Sequence, residues 1–228
     1  MKVFRGLLAA VTIVMVLFNF HGFALAASKS GGKTSMENAF YAIDNRSFLM
    51  LVREAEKFKK ENPEANYQDF FRYIDRTSRK NPGDVVAQGY YDIYKGLTDA
   101  EKQLFWENPW KAYKAYLAAR DAIGETTRRF GYSGHNDCTD AFRHAYWNAL
   151  MVKRIDLDWA IRWATAHEQN PNQPEIEKQM DLYNNAKGRE IAVNNPSASE
   201  PQLADKVDAA RRSGVLVRIS GNQLVPCR

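Results

Sequence analysis

Hydrophobic and polar positions alternate with helical spacing along almost the whole chain. From Met36 the stretch MENAFYAIDNRSFLMLVREAEKFKKENP repeats apolar residues every three or four positions and stops before Pro63. NYQDFFRYIDRTSRK predicts a second helix, ended by the Asn81-Pro82-Gly83 turn. DVVAQGYYDIYKGL and TDAEKQLFWENP predict two short helices, the latter opened by a capping box of Thr98 and Glu101. PWKAYKAYLAARDAIGET starts with Pro109 at its first position and is expected to end near Gly124. Its Trp110, Tyr113, Tyr116, Leu117 and Ala118 are expected to face a partner, as core and not as a ligand platform. TTRRFGYSGHND reads as a loop, and GVLVRISGNQLVPCR as a small hairpin around Ser220-Gly221-Asn222. The fold class is all-α: one multi-helix domain with a small C-terminal β-hairpin.

Three helices in the second half place polar groups on the wrong face. In HNDCTDAFRHAYWNALMVKR, about 100° per residue brings Asp140, His144 and Asn148 into one quarter of the wheel, bordered by Trp147. Ala, Phe, Leu and Val fill the next arc, so the helix is expected to be buried, with its polar stripe inside. DLDWAIRWATAHEQNP turns His167 and Glu168 to the packed side. PEIEKQMDLYNNAKGREIAV turns Glu175, Gln179, Tyr183, Lys187 and Glu190 outward, and Asp181, Asn184, Asn185 and Gly188 inward. Gly188 in a helix interior costs about 1 kcal/mol relative to Ala, which points to a close approach of another backbone. Short connections make neighbouring helices pack, so Asp140, His144, Asn148, His167, Glu168, Asp181, Asn184 and Asn185 are expected to line one pocket.

That set suits water attack. Neither a Gly-x-Ser-x-Gly turn nor a serine within the three helices offers a nucleophile. One divalent metal ion held by His144, His167 and Asp181 or Glu168 is one arrangement. A histidine general base oriented by Asp140 or Asp181, with no metal, is the other. His144 is the first choice for base or ligand, with His167 and Glu168 the second pair. Asn148, Asn184 and Asn185 suit substrate binding, and Arg143, Trp147 and Arg189 border it. The alternative is a binding or interaction protein whose polar groups cross-link the core by hydrogen bonds.

The remaining features concern compartment and partners. Lys2 and Arg5 precede the apolar run GLLAAVTIVMVLF, which ends near Ala24 and Ala26: the pattern of a secretory signal peptide over residues 1–26. Residues 27–35 read as a flexible polar leader, 36–107 as an N-terminal helical part, and 108–228 as the helical core with the hairpin tail. No later run is long and apolar enough to cross a bilayer. A periplasmic or secreted bacterial protein is expected. Removing Lys2 and Arg5 from 32 basic residues, against 27 acidic ones, leaves a formal net charge of +3. This mixed, mild excess argues against nucleic acid and leaves a small-molecule, lipid or cell-wall substrate open. The two cysteines, Cys138 and Cys227, are either bridged or two free thiols.

In their order, DAFRHAYWNAL, AHE and MDLYNNAKGREI resemble an uncharacterised bacterial domain family found in exported proteins and at the ends of large toxin-like surface proteins. The resemblance covers roughly Asn108 to Ala192. It implies a helical domain with a shared pocket, at Asp140, Arg143, His144, Trp147, Asn148, His167, Glu168, Asp181, Asn184, Asn185, Gly188 and Arg189, and no settled reaction.

Overall fold

The computed structural model describes residues 45–80 and 83–228. The expected signal peptide, the leader, residues 36–44 of the first expected helix and the Asn81-Pro82 step lie outside them. Among the described residues, nine helices precede one hairpin: α1 (Asn45–Glu61), α2 (Tyr67–Lys80), α3 (Val85–Gly96), α4 (Asp99–Glu107), α5 (Pro109–Phe130), α6 (Cys138–Arg154), α7 (Leu157–His167), α8 (Glu175–Val193), α9 (Glu200–Arg212), β1 (Val217–Ser220) and β2 (Gln223–Pro226). The all-α fold class with a two-stranded tail is the observed one.

The N-terminal helices share an aromatic core with α5. Phe48 of α1 stacks on Tyr116 of α5 at 4.5 Å, and Phe70 of α2 lies 6.1 Å from Phe105 of α4. The capping box that opens α4 is present, with Glu101 N–H donating to Thr98 Oγ1 and Thr98 N–H to Glu101 Oε2. Two expectations for α5 are corrected. Trp110 sits on its first turn and is 47% exposed, so the inward face comprises Ala112, Ala115, Tyr116, Ala118 and Ala119. The helix also runs through Gly124 to Phe130. Gly124 is exposed and costs only its helix propensity, whereas Thr126 is buried and Phe130 packs edge-on against Phe142 at 5.2 Å. The stop is Gly131, in the left-handed region with φ 80°. Helix α9 escaped sequence reading altogether, although Ser199 and Gln202 form its capping box and Pro201 lies in its first turn.

Helix α6 is the axis of the C-terminal part, with every residue from Thr139 to Met151 buried. Helix α8 lies against it in the same direction. Asn136 bonds Glu177 and Asn148 bonds Arg189, and both pairs are 41 residues apart, as only parallel neighbours allow. Helix α7 supplies the return. The approach is close because Gly188 has no side chain. A Cβ built there would overlap the Ala145 carbonyl oxygen and lie 2.6 Å from its carbon. The close backbone approach expected from Gly188 is thus found, against α6.

The hairpin pairs Val217 with Pro226 and Ser220 with Gln223. Gly221 and Asn222, both with φ 57°, make the two-residue turn that right-twisted strands prefer. Cys138 and Cys227 are bridged, with Cα atoms 5.5 Å apart, which fastens the tail to the start of α6.

The packing and the bridge set the stability effects of three substitutions. Gly188→Ala destabilises the protein by roughly 3 kcal/mol in urea unfolding, because backbone cannot yield as a side chain does. Gly124→Ala, in open exposed space, stabilises it by about 0.5–1 kcal/mol in the same assay. Cys227→Ser costs about 2–5 kcal/mol and abolishes any effect of reductant on the unfolding midpoint.

Candidate functional site

Asp140 stands on the first turn of α6. Asp137 caps the helix, its Oδ1 accepting the Thr139 and Asp140 N–H groups at 2.8 and 3.0 Å. Asn136 precedes it in the left-handed region, φ 61°, and donates its N–H to Asp140 Oδ2 at 2.5 Å. Arg143 donates to the other oxygen, Asp140 Oδ1. One turn on, His144 Nε2 lies 3.4 Å from Asp140 Oδ1 and 3.5 Å from Asp181 Oδ1 of α8. Its Nδ1 faces Glu168 Oε1 at 3.7 Å. Gln173 Nε2 donates to both Glu168 Oε2 and Asp181 Oδ2, at 3.0 and 2.8 Å. Asp140, His144, Glu168 and Asp181 are all at most 5% exposed.

A line of amides continues along the α6–α8 seam. Asn185 donates to Glu168 Oε1 at 3.0 Å. Asn148 donates to Asn185 Oδ1, and Arg189 to Asn148 Oδ1, each at 2.6 Å. Each step is one helical turn, so the residues repeat at intervals of four on both helices.

The expected pocket is therefore smaller than the eight residues sequence spacing suggested. Asp140, His144, Asn148, Glu168, Asp181 and Asn185 come together; His167 and Asn184 do not. His167 Nδ1 lies 2.9 Å from Glu101 Oε1 of α4. Consecutive residues on a helix point about 100° apart, so Glu168 faces α8 and His167 is turned away from it. The edge of Trp147 packs on the His167 ring at 5.2 Å, and Trp147 itself donates to Ala115 O of α5. Asn184 instead clasps the hairpin, donating to Val217 O at 2.9 Å and accepting its N–H at 3.0 Å. The histidine and carboxylates that offer ligand atoms within 4.8 Å of one another are Asp140, His144 and Asp181; His167 is not among them.

Sequence reading missed Asn136, His135, Gln173 and Glu177. His135 lies 3.7 Å from Asp140 Oδ2 and 3.4 Å from Glu177 Oε1. Three of these four stand in the loops ahead of α6 and α8, where helical periodicity carries no signal. Asn-Asp before an apolar run marks a cap, but says nothing about what else the Asn holds.

The charges are mutually dependent. Burial pushes the His144 imidazole down, but the carboxylates of Asp181 and Asp140 outweigh burial and the repelling Arg143, and lift it to about 9. Burial likewise favours a neutral Asp140, yet Arg143, His144 and the Asn136 N–H hold its carboxyl well below the usual range. Arg189 is lowered from its ordinary value by burial. A separate groove of about 680 Å³, lined by Phe58, Asn62, Glu64, Arg72 and Tyr73 among others, shares no residue with this cluster.

Residues 102–215 match the model of a family described as a domain of unknown function (DUF6973). No curated protein and no solved structure matches the chain. All of the cluster, from Asn136 to Arg189, lies inside the matched segment.

The two adjacent asparagines of α8 are expected to behave differently. Asn184→Ala removes hydrogen-exchange protection from Val217 and Ile219 and leaves that of α6 unchanged. Asn185→Ala leaves the hairpin protected but costs about 1–3 kcal/mol of global stability, because Glu168 and Asn148 lose a buried partner.

Proposed function

The chain belongs to the DUF6973 family, and from that premise we propose that it is a hydrolase that activates water at Asp140, His144 and Asp181, with a divalent metal ion held by those three residues. The observation that carries this reading is the spacing of the ligand atoms. Ligands about 2.0–2.1 Å from a tetrahedral ion stand about 3.4 Å apart. His144 Nε2 stands 3.4 and 3.5 Å from its two carboxylate neighbours.

The surroundings support the same reading. A histidine that ligates a metal through one ring nitrogen usually turns the other to a carboxylate, and Glu168 lies on the Nδ1 side of His144. Gln173 holds Glu168 and Asp181 together, and the Asn136 N–H fixes Asp140. A bound divalent ion supplies a Lewis acid that lowers the pKa of water toward neutrality. In this reading Asn148, Asn185 and Arg189 order the seam behind the site, and the three protein ligands leave a position for substrate. The bridge between Cys138 and Cys227 supports an exported protein, as such bonds persist in oxidising compartments. Among the described residues no helix is long and apolar enough to cross a membrane.

One observation favours a second reading, in which the cluster is a structural network of a binding protein. Arg143 already donates to Asp140 Oδ1, the oxygen nearest His144. A buried arginine beside a carboxylate compensates its charge without any ion.

Metal titration separates the two. By calorimetry and elemental analysis, the hydrolase binds one equivalent of Zn²⁺ or Mn²⁺ per chain. His144→Ala and Asp181→Asn each weaken that binding at least a hundredfold while circular dichroism still reports a folded helical protein. Absence of any stoichiometric ion, together with unfolding of His144→Ala, assigns the cluster to the structural network.

A further inference from the structure

Two amides beside the cluster have their orientation dictated by their neighbours. Gln173 lies in the loop ahead of α8, and its nitrogen is bonded to Glu168 and Asp181. Ionised carboxylates only accept, so the nitrogen must face them and Oε1 must face the other way. That oxygen is buried and receives no hydrogen bond among the described residues. Asn136, in the loop ahead of α6, repeats the arrangement. Its Nδ2 donates to Glu177 Oε1 at 2.7 Å, and its Oδ1 is buried and without a donor among the described residues. Buried acceptors in folded proteins nearly always have a donor. Because α6 and α8 run parallel, both loops stand at the same end of the pair, the end that holds Asp140, His144 and Asp181.

That end is also rich in negative charge. Asp140, Glu168, Glu177 and Asp181 supply four carboxylates there. The one arginine among them, Arg143, is engaged by Asp140. The other arginine of the seam is Arg189, whose hydrogen bond goes to Asn148. It is eight residues beyond Asp181 along α8, about 12 Å by helical rise, at the opposite end of the seam. An anionic ligand at that end would meet four carboxylates and two carbonyl oxygens without a donor among the described residues, while the cations there, Arg143, His144 and any ion the trio holds, are already set against carboxylates.

We infer that the site takes a ligand group that donates hydrogen bonds and bears no negative charge, with Gln173 Oε1 and Asn136 Oδ1 as its acceptors. The inference rests on the reading of the cluster as a functional centre and narrows its substrate. Hydroxyl and ammonium groups qualify; phosphate and carboxylate groups do not. Gln173 and Asn136 are then the residues that set specificity, and neither belongs to the metal-binding trio.

The test is a nuclear magnetic resonance titration of the oxidised, isotope-labelled protein with four probes: glycerol, propylammonium, propionate and inorganic phosphate. Glycerol or propylammonium shifts the side-chain amide signals of Asn136 and Gln173 saturably, and which of the two does so tells a neutral donor from a cationic one. Propionate and phosphate leave those signals in place. Gln173→Met and Asn136→Gly, the latter suited to φ 61°, each weaken donor binding at least fivefold. The inference is overturned if phosphate or propionate binds at these amides, if no donor probe binds, or if donor binding survives both substitutions. Metal content is measured on the same samples. Metal without donor binding sinks this inference alone; donor binding without metal sinks the metal centre alone.

Discussion

The close approach of the α8 backbone at Gly188 to the Ala145 carbonyl, which leaves no room for a Cβ, is the constraint on which the rest of the site depends. Side chains of ordinary length reach a common point between two helices only when the helix axes are close. Asp140 and His144 project from α6, and Asp181 and Asn185 from α8, and all four are short or medium-length groups. A wider seam would put a water layer between them and dissolve the cluster into two solvated faces. The parallel arrangement matters equally. It places both helix N-termini at one end, where their partial positive charge favours the carboxylates of the first turns.

Burying this many charges is expensive, and the structure meets the cost by connection. Asp140 is met by Arg143, His144, His135 and the Asn136 N–H. Glu168 takes Gln173 and Asn185 in addition to facing His144. The amides serve as couplers, since each presents a donor and an acceptor and passes a fixed polarity along the seam. Such a network loses far more from one missing member than from one weak bond, because every neighbour is left in low dielectric without its partner.

Much of the fold was legible from hydrophobic period, capping residues and prolines, since these report local energetics directly. The inward stripe of α6 and the inward face of α8 were legible for the same reason. Burial of Asp140, His144, Asn148, Asp181, Asn184 and Asn185 follows from their places on the wheel. Which of them meet was not legible. Asn184 and Asn185 share a helix and a residue type, yet one serves the hairpin and the other the site; the difference is a 100° rotation relative to neighbours whose positions no local pattern encodes. His167 and Glu168 part company for the same reason. Asn136 and Gln173 are positioned by loop geometry and by long-range bonds, and α9 was hidden because its sparse apolar residues looked like a polar connection.

The sequence distance between Cys138 and Cys227 has an order of events built into it. Cys138 leaves the ribosome 89 residues before its partner Cys227. With two cysteines in the sequence there is no wrong partner within the chain, only a delay. Strand β1 holds the Asn136 carbonyl through the Ile219 N–H, and Asn136 in turn holds Asp140. The hairpin therefore acts as a closing clasp: the seam between α6 and α8 can assemble from residues already synthesised, but the loop that holds Asp140 takes its final shape only when the hairpin has been made.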